Sequence, residues 1–157
     1  LPALAEKGLS VSYDFSGQWK EEKKVRQAAP YIRYAFLSCG SIPEQEAEEI
    51  CKSIYGAGCP MVIATRGSHG SLVYDGEIFY SQSPRLVKAV DTLGAGDSFA
   101  AAFLLSYIGS LEDKKAQDRA DQGNRGALIK KAMAAGAEFA AKTCMVQGAF
   151  GYGRALV

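Results

Sequence analysis

Short apolar runs, rich in β-branched and aromatic residues, recur along the first half of the chain. They predict strands at Leu9–Phe15, Tyr34–Ser38 and Met61–Thr65. The last run is apolar almost throughout, which is typical of a strand buried in a parallel sheet. Two further runs, Ser71–Tyr74 and Ile78–Tyr80, flank an Asp-Gly pair, so we expect a β-hairpin there.

Polar and amphipathic stretches separate these strands and predict helices. The first, residues 20–29, is followed directly by a proline that stops it. Ser41 and Glu44 make a capping-box pattern for the next helix, which we expect to end at Gly56 or Gly58. Its apolar positions fall on one face, and they are Ala47, Ile50, Cys51 and Ile54.

The second half predicts fewer and longer elements. Val87–Thr92 predicts the end of a strand, and Phe99–Ile108 predicts an apolar helix that ends near Gly109. Residues 112–125 are charged and poor in apolar side chains, so we expect a surface loop or a loose helix. Ala127–Val146 predicts a long alanine-rich helix, and a glycine-rich loop follows it.

This alternation of strands and helices predicts an α/β protein, with a mostly parallel sheet and helices on both faces. Ligands of such sheets bind beyond the carboxyl ends of the strands. We therefore expect the loops after Phe15, Leu37, Thr65 and Thr92 to open on the same rim of the sheet.

Composition and charge narrow the classes of function. The chain has 157 residues, 48% of them hydrophobic, which suits one packed domain or part of one. Its net charge is +1 and its basic residues alternate with acidic ones, which argues against nucleic acid or an anionic membrane as a partner. The four cysteines form no Cys-x-x-Cys pair, so we expect free thiols and a cytoplasmic location. The chain begins at Leu1 without Met, with elements typical of the middle of an α/β protein, and we expect a fragment or the ordered remainder of a longer chain.

The run from Asp91 to Phe99 carries the clearest chemistry. Its turn, Gly94-Ala95-Gly96, leaves backbone N–H groups free at a helix N-terminus, where the helix dipole favours an anion. Asp97 stands in the same place, which suggests a base beside an anion hole. The alternative is a plain helix N-terminus in which Asp97 and Ser98 favour the dipole. The run is not a dinucleotide fingerprint, because Phe99 occupies the third glycine position.

The same run closely resembles the second signature of the ribokinase (PfkB-type) carbohydrate kinase family. The resemblance implies that Asp97 deprotonates the sugar hydroxyl that attacks the γ-phosphate of ATP. It implies that the N–H groups around Gly94, Ala95 and Gly96 stabilise the transferring phosphoryl group. It also implies a site for a monovalent cation such as K⁺, held by Asp91, the Leu93 carbonyl, Thr143, Val146 and Gly148.

A second motif follows the strand that ends near Thr65. Taken alone, Thr65-Arg66-Gly67-Ser68-His69-Gly70 is a generic glycine turn between two strands. In the family that the chain resembles, the corresponding loop contacts the phosphate and ribose of ATP. His69 is then either an exposed loop residue or a nucleotide contact, and a single histidine gives no metal cluster.

The ending of the chain gives a third point of resemblance. Ala140–Thr143 followed by Gly148-Ala149 resembles the family's last helix, which flanks adenine, and its Gly-Ala loop. Packing of an ordinary alanine-rich helix would explain the helix but not the loop. With the segment from Asp14 to Trp19, this ending looks most like the fructoselysine 6-kinase branch. Asp14 either lies near the phosphates or caps the next turn, and we expect Trp19 to pack.

The chain departs from the family where an Asn-x-x-Glu pattern normally helps to organise Mg²⁺ through water. Ser38-Cys39-Gly40-Ser41 stands there instead. Either the ATP phosphates and water hold Mg²⁺, or Glu44 substitutes for the missing acid. The simpler interpretation assigns the acids of this stretch to a solvated helix face, and they are Glu44, Glu46, Glu48 and Glu49.

The resemblance covers nearly the whole chain but only the C-terminal half of such a kinase. It implies that residues 1–157 are the nucleotide-binding half, without the N-terminal sugar-binding half and its lid. The implied function is ATP-dependent phosphoryl transfer to a hydroxyl of a sugar or sugar-amine, with Mg²⁺ and K⁺ and a homodimer formed through the missing lid. The alternatives are a nucleoside or small-alcohol kinase of the same superfamily, and a non-catalytic nucleotide-binding remnant.

Overall fold

A computed structural model describes residues 1–117 and 125–149, and only the backbone of residues 113–117. The chain divides into two compact units, Leu1–Ser81 and Gln82–Val157. In chain order the regular elements are α1 (Pro2–Glu6), β1 (Ser12–Ser16), α2 (Glu22–Ala28), β2 (Tyr34–Ser38), α3 (Glu44–Gly56), β3 (Val62–Thr65), β4 (Ser71–Tyr74), β5 (Phe79–Gln82), α4 (Ala95–Gln117) and α5 (Arg125–Cys144). Single 3₁₀ turns lie at Gln18–Lys20, Ala29–Tyr31 and Gly67–His69.

The five strands form one sheet in the order β1-β2-β3-β4-β5. β1 and β2 pair in parallel, as do β2 and β3, whereas β4 runs antiparallel to β3. The prediction of a mostly parallel α/β sheet is therefore confirmed. Because the first three strands are parallel, the loops that follow them begin at the same edge of the sheet.

One face of this sheet packs against α2 and α3. Ala35 lies opposite Val62 and Leu37 opposite Ala64, so these four side chains share the face. They join the apolar residues of the two helices in one core, and the helical members are Val25, Ala28, Ala47, Cys51 and Ile54. The amphipathic pattern predicted for α3 is therefore the pattern that it buries. That helices cover the other face stays a prediction.

The predicted hairpin joins β4 to β5. Asp75 Oδ1 accepts the backbone N–H groups of Glu77 at 3.0 Å and Ile78 at 3.1 Å, which forms the turn. Gly76 has φ +100°, and a Cβ there would lie 2.5 Å from the Tyr55 ring. Only glycine suits both the conformation and the space.

The capping box predicted for α3 is wrong. The helix begins at Glu44 after Pro43, and no side chain caps it. The proline ring drives the residue before it, Ile42, towards extended backbone. A helix that starts directly after Ser41 is therefore excluded.

Two predictions in the second unit are also wrong. No strand covers Val87–Thr92 in the described part of the chain; instead, the Val90 and Asp91 N–H groups donate to the Cys144 carbonyl at 2.8 and 3.3 Å. These donors satisfy the end of α5 rather than a neighbouring strand. α4 does not end near Gly109 but continues to Gln117, since packing on α5 offsets the modest helix cost of one glycine.

α4 and α5 pack along aromatic rings and small residues. Phe99, Phe103 and Tyr107 stack in succession along α4, with ring centroids 6.2 and 5.9 Å apart. Gly136 of α5 lies under Phe99, and a Cβ at that position would come within 2.9 Å of the ring. Beyond Gly109, the Lys131 Nζ donates to the buried Ser110 Oγ at 3.2 Å.

None of the helices in residues 1–117 and 125–149 has the length and apolar content needed to cross a membrane. Of the segments interpreted from sequence, 118–124 and the tail from 150 onward lie outside the described residues.

The two glycines inside the long helices should respond in opposite ways to alanine. Gly136→Ala forces a methyl group into the Phe99 ring and should lower the free energy of unfolding by about 1–3 kcal/mol. Gly109 has open space around it. Gly109→Ala should therefore raise the free energy of unfolding by roughly 0.5–1 kcal/mol through helix propensity. Urea unfolding curves of both variants measure the contrast, and equal effects of one sign would contradict this packing.

Candidate active site

The motif loop after β3 is a closed single turn. The Arg66 N–H donates to the Gly70 carbonyl at 2.8 Å, and the Gly70 N–H donates to the Gly67 carbonyl at 3.1 Å. The two glycines have φ +56° and +88°. Ser68 and His69 lie exposed at its tip. The loop thus presents its middle residues to solvent.

Hydrogen bonds join this loop to the one after β2. The Cys39 N–H donates to the Thr65 carbonyl at 2.8 Å, and the Thr65 hydroxyl donates to the Leu37 carbonyl at 3.1 Å. The Trp19 indole N–H, from the loop after β1, donates to the Ser38 carbonyl at 3.0 Å. Three loops at the carboxyl edge are therefore linked to one another. Trp19 also packs against the core, as expected.

Arg66 is held inside this loop cluster. Its side chain is 8% exposed, and its Nη1 lies 2.6 Å from Glu44 Oε2 at the start of α3. Within the described residues the buried Arg66 Nε has no hydrogen-bond partner. Sequence reasoning named both residues but did not join them, because 22 positions separate them.

At the end of β1, the Asp14 carboxylate accepts hydrogen bonds from the turn that follows it. Its Oδ1 accepts the Ser16 N–H at 2.6 Å, and its Oδ2 accepts the Ser16 hydroxyl at 3.1 Å. Ser16 has φ +49°, and the β1–β2 register shifts between Asp14 and Ser16. Asp14 thus caps the turn, and that it lies near the phosphates stays a prediction.

In the second unit, α4 begins inside the glycine turn. The Ala95 N–H donates to the Thr92 carbonyl at 3.2 Å and the Ser98 N–H to the Gly94 carbonyl at 2.9 Å. In the described part of the chain, the N–H groups of Gly94, Gly96 and Asp97 have no partner. They lie at the positive end of a helix of 23 residues. Such a group of donors can bind an anion.

Asp97 differs from the other acids of the site because its carboxylate is free. It is exposed, and it makes no hydrogen bond or ion pair with the residues that the structure describes. A free carboxylate beside free N–H donors can accept a proton while the donors hold negative charge.

Gly94 brings the end of the described chain against this turn. It has φ +77°, and a Cβ there would lie 2.8 Å from the Ala149 Cβ. Glycine is therefore required at this position for its conformation and for the contact. The predicted Gly148-Ala149 loop is thus next to the glycine turn.

Asp91 connects the same two segments. Its Oδ1 accepts the Leu93 N–H and its Oδ2 accepts the Gly148 N–H, both at 3.0 Å. These two bonds, with a smaller contribution from the Thr92 backbone N–H, hold the pKa of Asp91 below its usual value. Three of the residues named for the cation site are therefore neighbours.

Thr143, a fourth residue of that set, fixes α5 to the start of α4. Its hydroxyl donates to the Phe139 carbonyl at 3.2 Å and lies 2.7 Å from the Ser98 Oγ, so Ser98 is the donor between the two. The Val146 N–H donates to the Thr143 carbonyl at 3.3 Å. The Ser98–Thr143 bond was not predicted, since no local pattern links residues 45 positions apart.

Three of the four cysteines are poor nucleophiles. Burial raises the pKa of Cys39 and Cys59 to about 11 and that of Cys51 to about 12. Within the described residues, no three His, Cys, Asp or Glu side chains form a metal-binding group. That the motif loops of the two units open on the same rim stays a prediction.

The Asp91 bonds predict a pH-dependent stability. The folded state lowers the Asp91 pKa, so its contribution is present above the unfolded value of about 3.9 and is lost as the pH falls through the folded value. In Asp91→Asn the amide keeps one acceptor oxygen and loses the charge. The urea midpoint of this variant should lie below that of the wild type at pH 6, and the gap should narrow below about pH 4. A gap that stays constant with pH would contradict the assignment.

Comparisons with known proteins identify the family and relatives of this chain. The family profile described as pfkB family carbohydrate kinase matches residues 35–150. Fructosamine kinase FrlD of Bacillus subtilis (strain 168) is 41% identical over 145 residues, which are 92% of this chain and 45% of that protein. Fructoselysine 6-kinase of Shigella flexneri is 34% identical over 150 residues, which are 95% and 50% of the two chains. The chain thus spans about half the length of the curated relatives that it matches.

Among solved structures, the microbiome-derived acarbose kinase Mak1 superposes with a TM-score of 0.68 at 26% identity, covering 91% of this chain and 44% of that one. The fold is the α/β fold of ribokinase-family kinases, as the resemblance implied. The profile match extends over far more than half of the chain, and the chain belongs to the pfkB family of carbohydrate kinases.

Proposed function

We propose that this chain is the nucleotide-binding half of a kinase that transfers the γ-phosphoryl group of ATP to a hydroxyl of a fructoselysine-like sugar-amine. The family and the names of the most similar relatives support the reaction class and the substrate class. The observation that carries the proposal is at the start of α4, where the Asp97 carboxylate and three N–H groups have no partner among the described residues.

In the proposed reaction, Asp97 accepts the proton of the attacking hydroxyl. The N–H groups of Gly94, Gly96 and Asp97 stabilise the charge that develops on the transferring phosphoryl group. The Ala95 N–H is committed to the Thr92 carbonyl. The backbone donors therefore differ by one position from the set that the family resemblance implied.

The loop Thr65–Gly70 is proposed to contact the phosphates and ribose of ATP, with Ser68 and His69 exposed for that contact. Mg²⁺ would be held mainly by ATP phosphates and water, consistent with its reluctance to lose water. Each oxygen of Asp91 accepts one N–H and keeps a lone pair. With the carbonyls of Leu93, Thr143, Val146 and Gly148, it makes an oxygen donor set that suits K⁺.

The rest of the kinase is proposed to supply the sugar-binding residues and the lid, and a homodimer would form through that lid. The isolated chain should therefore bind nucleotide without phosphorylating sugar. The free cysteines, three of them buried, favour a cytoplasmic location.

Asp97→Asn tests the base directly. In the kinase that contains this chain, the variant should lose roughly 10²- to 10⁴-fold in kcat, because the amide cannot accept the proton. The Kd for ATP should stay within about threefold, since the backbone donors remain. ATP consumption with fructoselysine, fructose and ribose measures turnover and ranks the acceptors.

The matched control is Glu112→Gln, an exposed acid on the same helix outside the site. It should leave both kcat and ATP binding unchanged. An Asp97→Asn enzyme with the kcat of the wild type would remove Asp97 from the reaction.

A further inference from the structure

The Arg66 guanidinium is a buried positive charge among the three linked loops. A buried cation is costly unless an anion and hydrogen bonds compensate it. Its Nη1 donates to Glu44 at 2.6 Å, while its Nε has no partner in the described part of the chain. Glu44 is therefore the acid that balances the charge of Arg66, and no second acid pairs with this guanidinium among the described residues.

The backbone of Arg66 closes the motif loop. Its N–H donates to the Gly70 carbonyl, and its carbonyl accepts the His69 N–H at 3.0 Å. Gly40 lies against it, so that a Cβ there would stand 3.6 Å from the Arg66 carbonyl carbon. A contact that fixes the Arg66 side chain therefore also fixes the backbone where the loop closes.

The ion pair with Glu44 connects Arg66 to helix α3. Glu44 is the first residue of α3, whose buried face is part of the core. A carboxylate in the first turn is also favoured by the helix dipole. One oxygen of Glu44 is committed to Arg66, which weakens its case as a substitute for the missing magnesium-organising acid.

We propose that Glu44 is a positioning residue that holds the loop Thr65–Gly70 through Arg66, and that it does not organise Mg²⁺. This inference rests on the proposed function for the ligand of the loop. It predicts that the loop loses its fixed shape when Glu44 loses its charge. Binding of ATP then weakens, while the catalytic step at Asp97 proceeds as before.

The kinetic test uses Glu44→Gln in the intact kinase. The KM for ATP should rise about three- to tenfold, with kcat within twofold and the Mg²⁺ concentration for half-maximal activity unchanged. Glu49→Gln, an exposed acid on the same helix, is the matched control and should change none of these values. A shift in the Mg²⁺ midpoint, with the KM for ATP unchanged, would overturn the proposal.

Hydrogen exchange without any substrate separates this inference from the proposed function. In Glu44→Gln the backbone amides of Arg66 and Gly70 should exchange about five- to tenfold faster than in the wild type. The double variant Glu44→Gln with Arg66→Met removes both charges and should recover most of the lost protection. Unchanged exchange in the single variant would overturn the positioning role, even in an active kinase. Faster exchange in a protein without kinase activity would support the pair and refute the function.

Discussion

Parallel pairing of β2 with β3 is the constraint on which the first unit depends. It places the ends of both strands at one edge, and the bond from the Cys39 N–H to the Thr65 carbonyl extends the pairing beyond the strands. A different backbone path after that bond would leave backbone N–H and C=O groups without partners. The sheet therefore fixes where the loop that carries Arg66 begins, and the Arg66–Glu44 pair acts on the rest of that loop.

A comparable constraint organises the second unit, where the ends of two long helices meet. The carboxyl end of α5 has carbonyls without helical partners, and the N–H groups of Val90 and Asp91 satisfy the one of Cys144. The Ser98–Thr143 bond ties the start of α4 to the same place. Among the described residues, the N–H groups of Gly94, Gly96 and Asp97 at the glycine turn remain without partners. The proposed anion site therefore follows from helix geometry, because a helix cannot bond its own first N–H donors.

Local patterns predicted those elements whose stability is mostly local. β2 has the predicted bounds, and the hairpin around Gly76 follows from its Asp-Gly pair. The segment Val87–Thr92 has strand-forming residues but forms no strand in the described residues. Its Val90 and Asp91 N–H groups donate to the Cys144 carbonyl instead, which shows that β-propensity depends on context. α4 continues past Gly109 because of its packing on α5, which a helix-ending signal does not show. The pair of Glu44 with Arg66 depends on the register of two loops, and no sequence pattern records it.

The two aspartates of the central motif show how the same residue type acquires opposite roles. Asp91 accepts two backbone N–H groups, so its carboxylate is stabilised as an anion and is a poor proton acceptor. Asp97, six residues later, accepts none from the described residues and is exposed. Had the bonds been reversed, the proposed base would accept a proton less readily and the tail loop would lose its anchor. In the proposed reaction the motif therefore needs both acids, and the helix start that separates them leaves Asp97 as the one available to accept a proton.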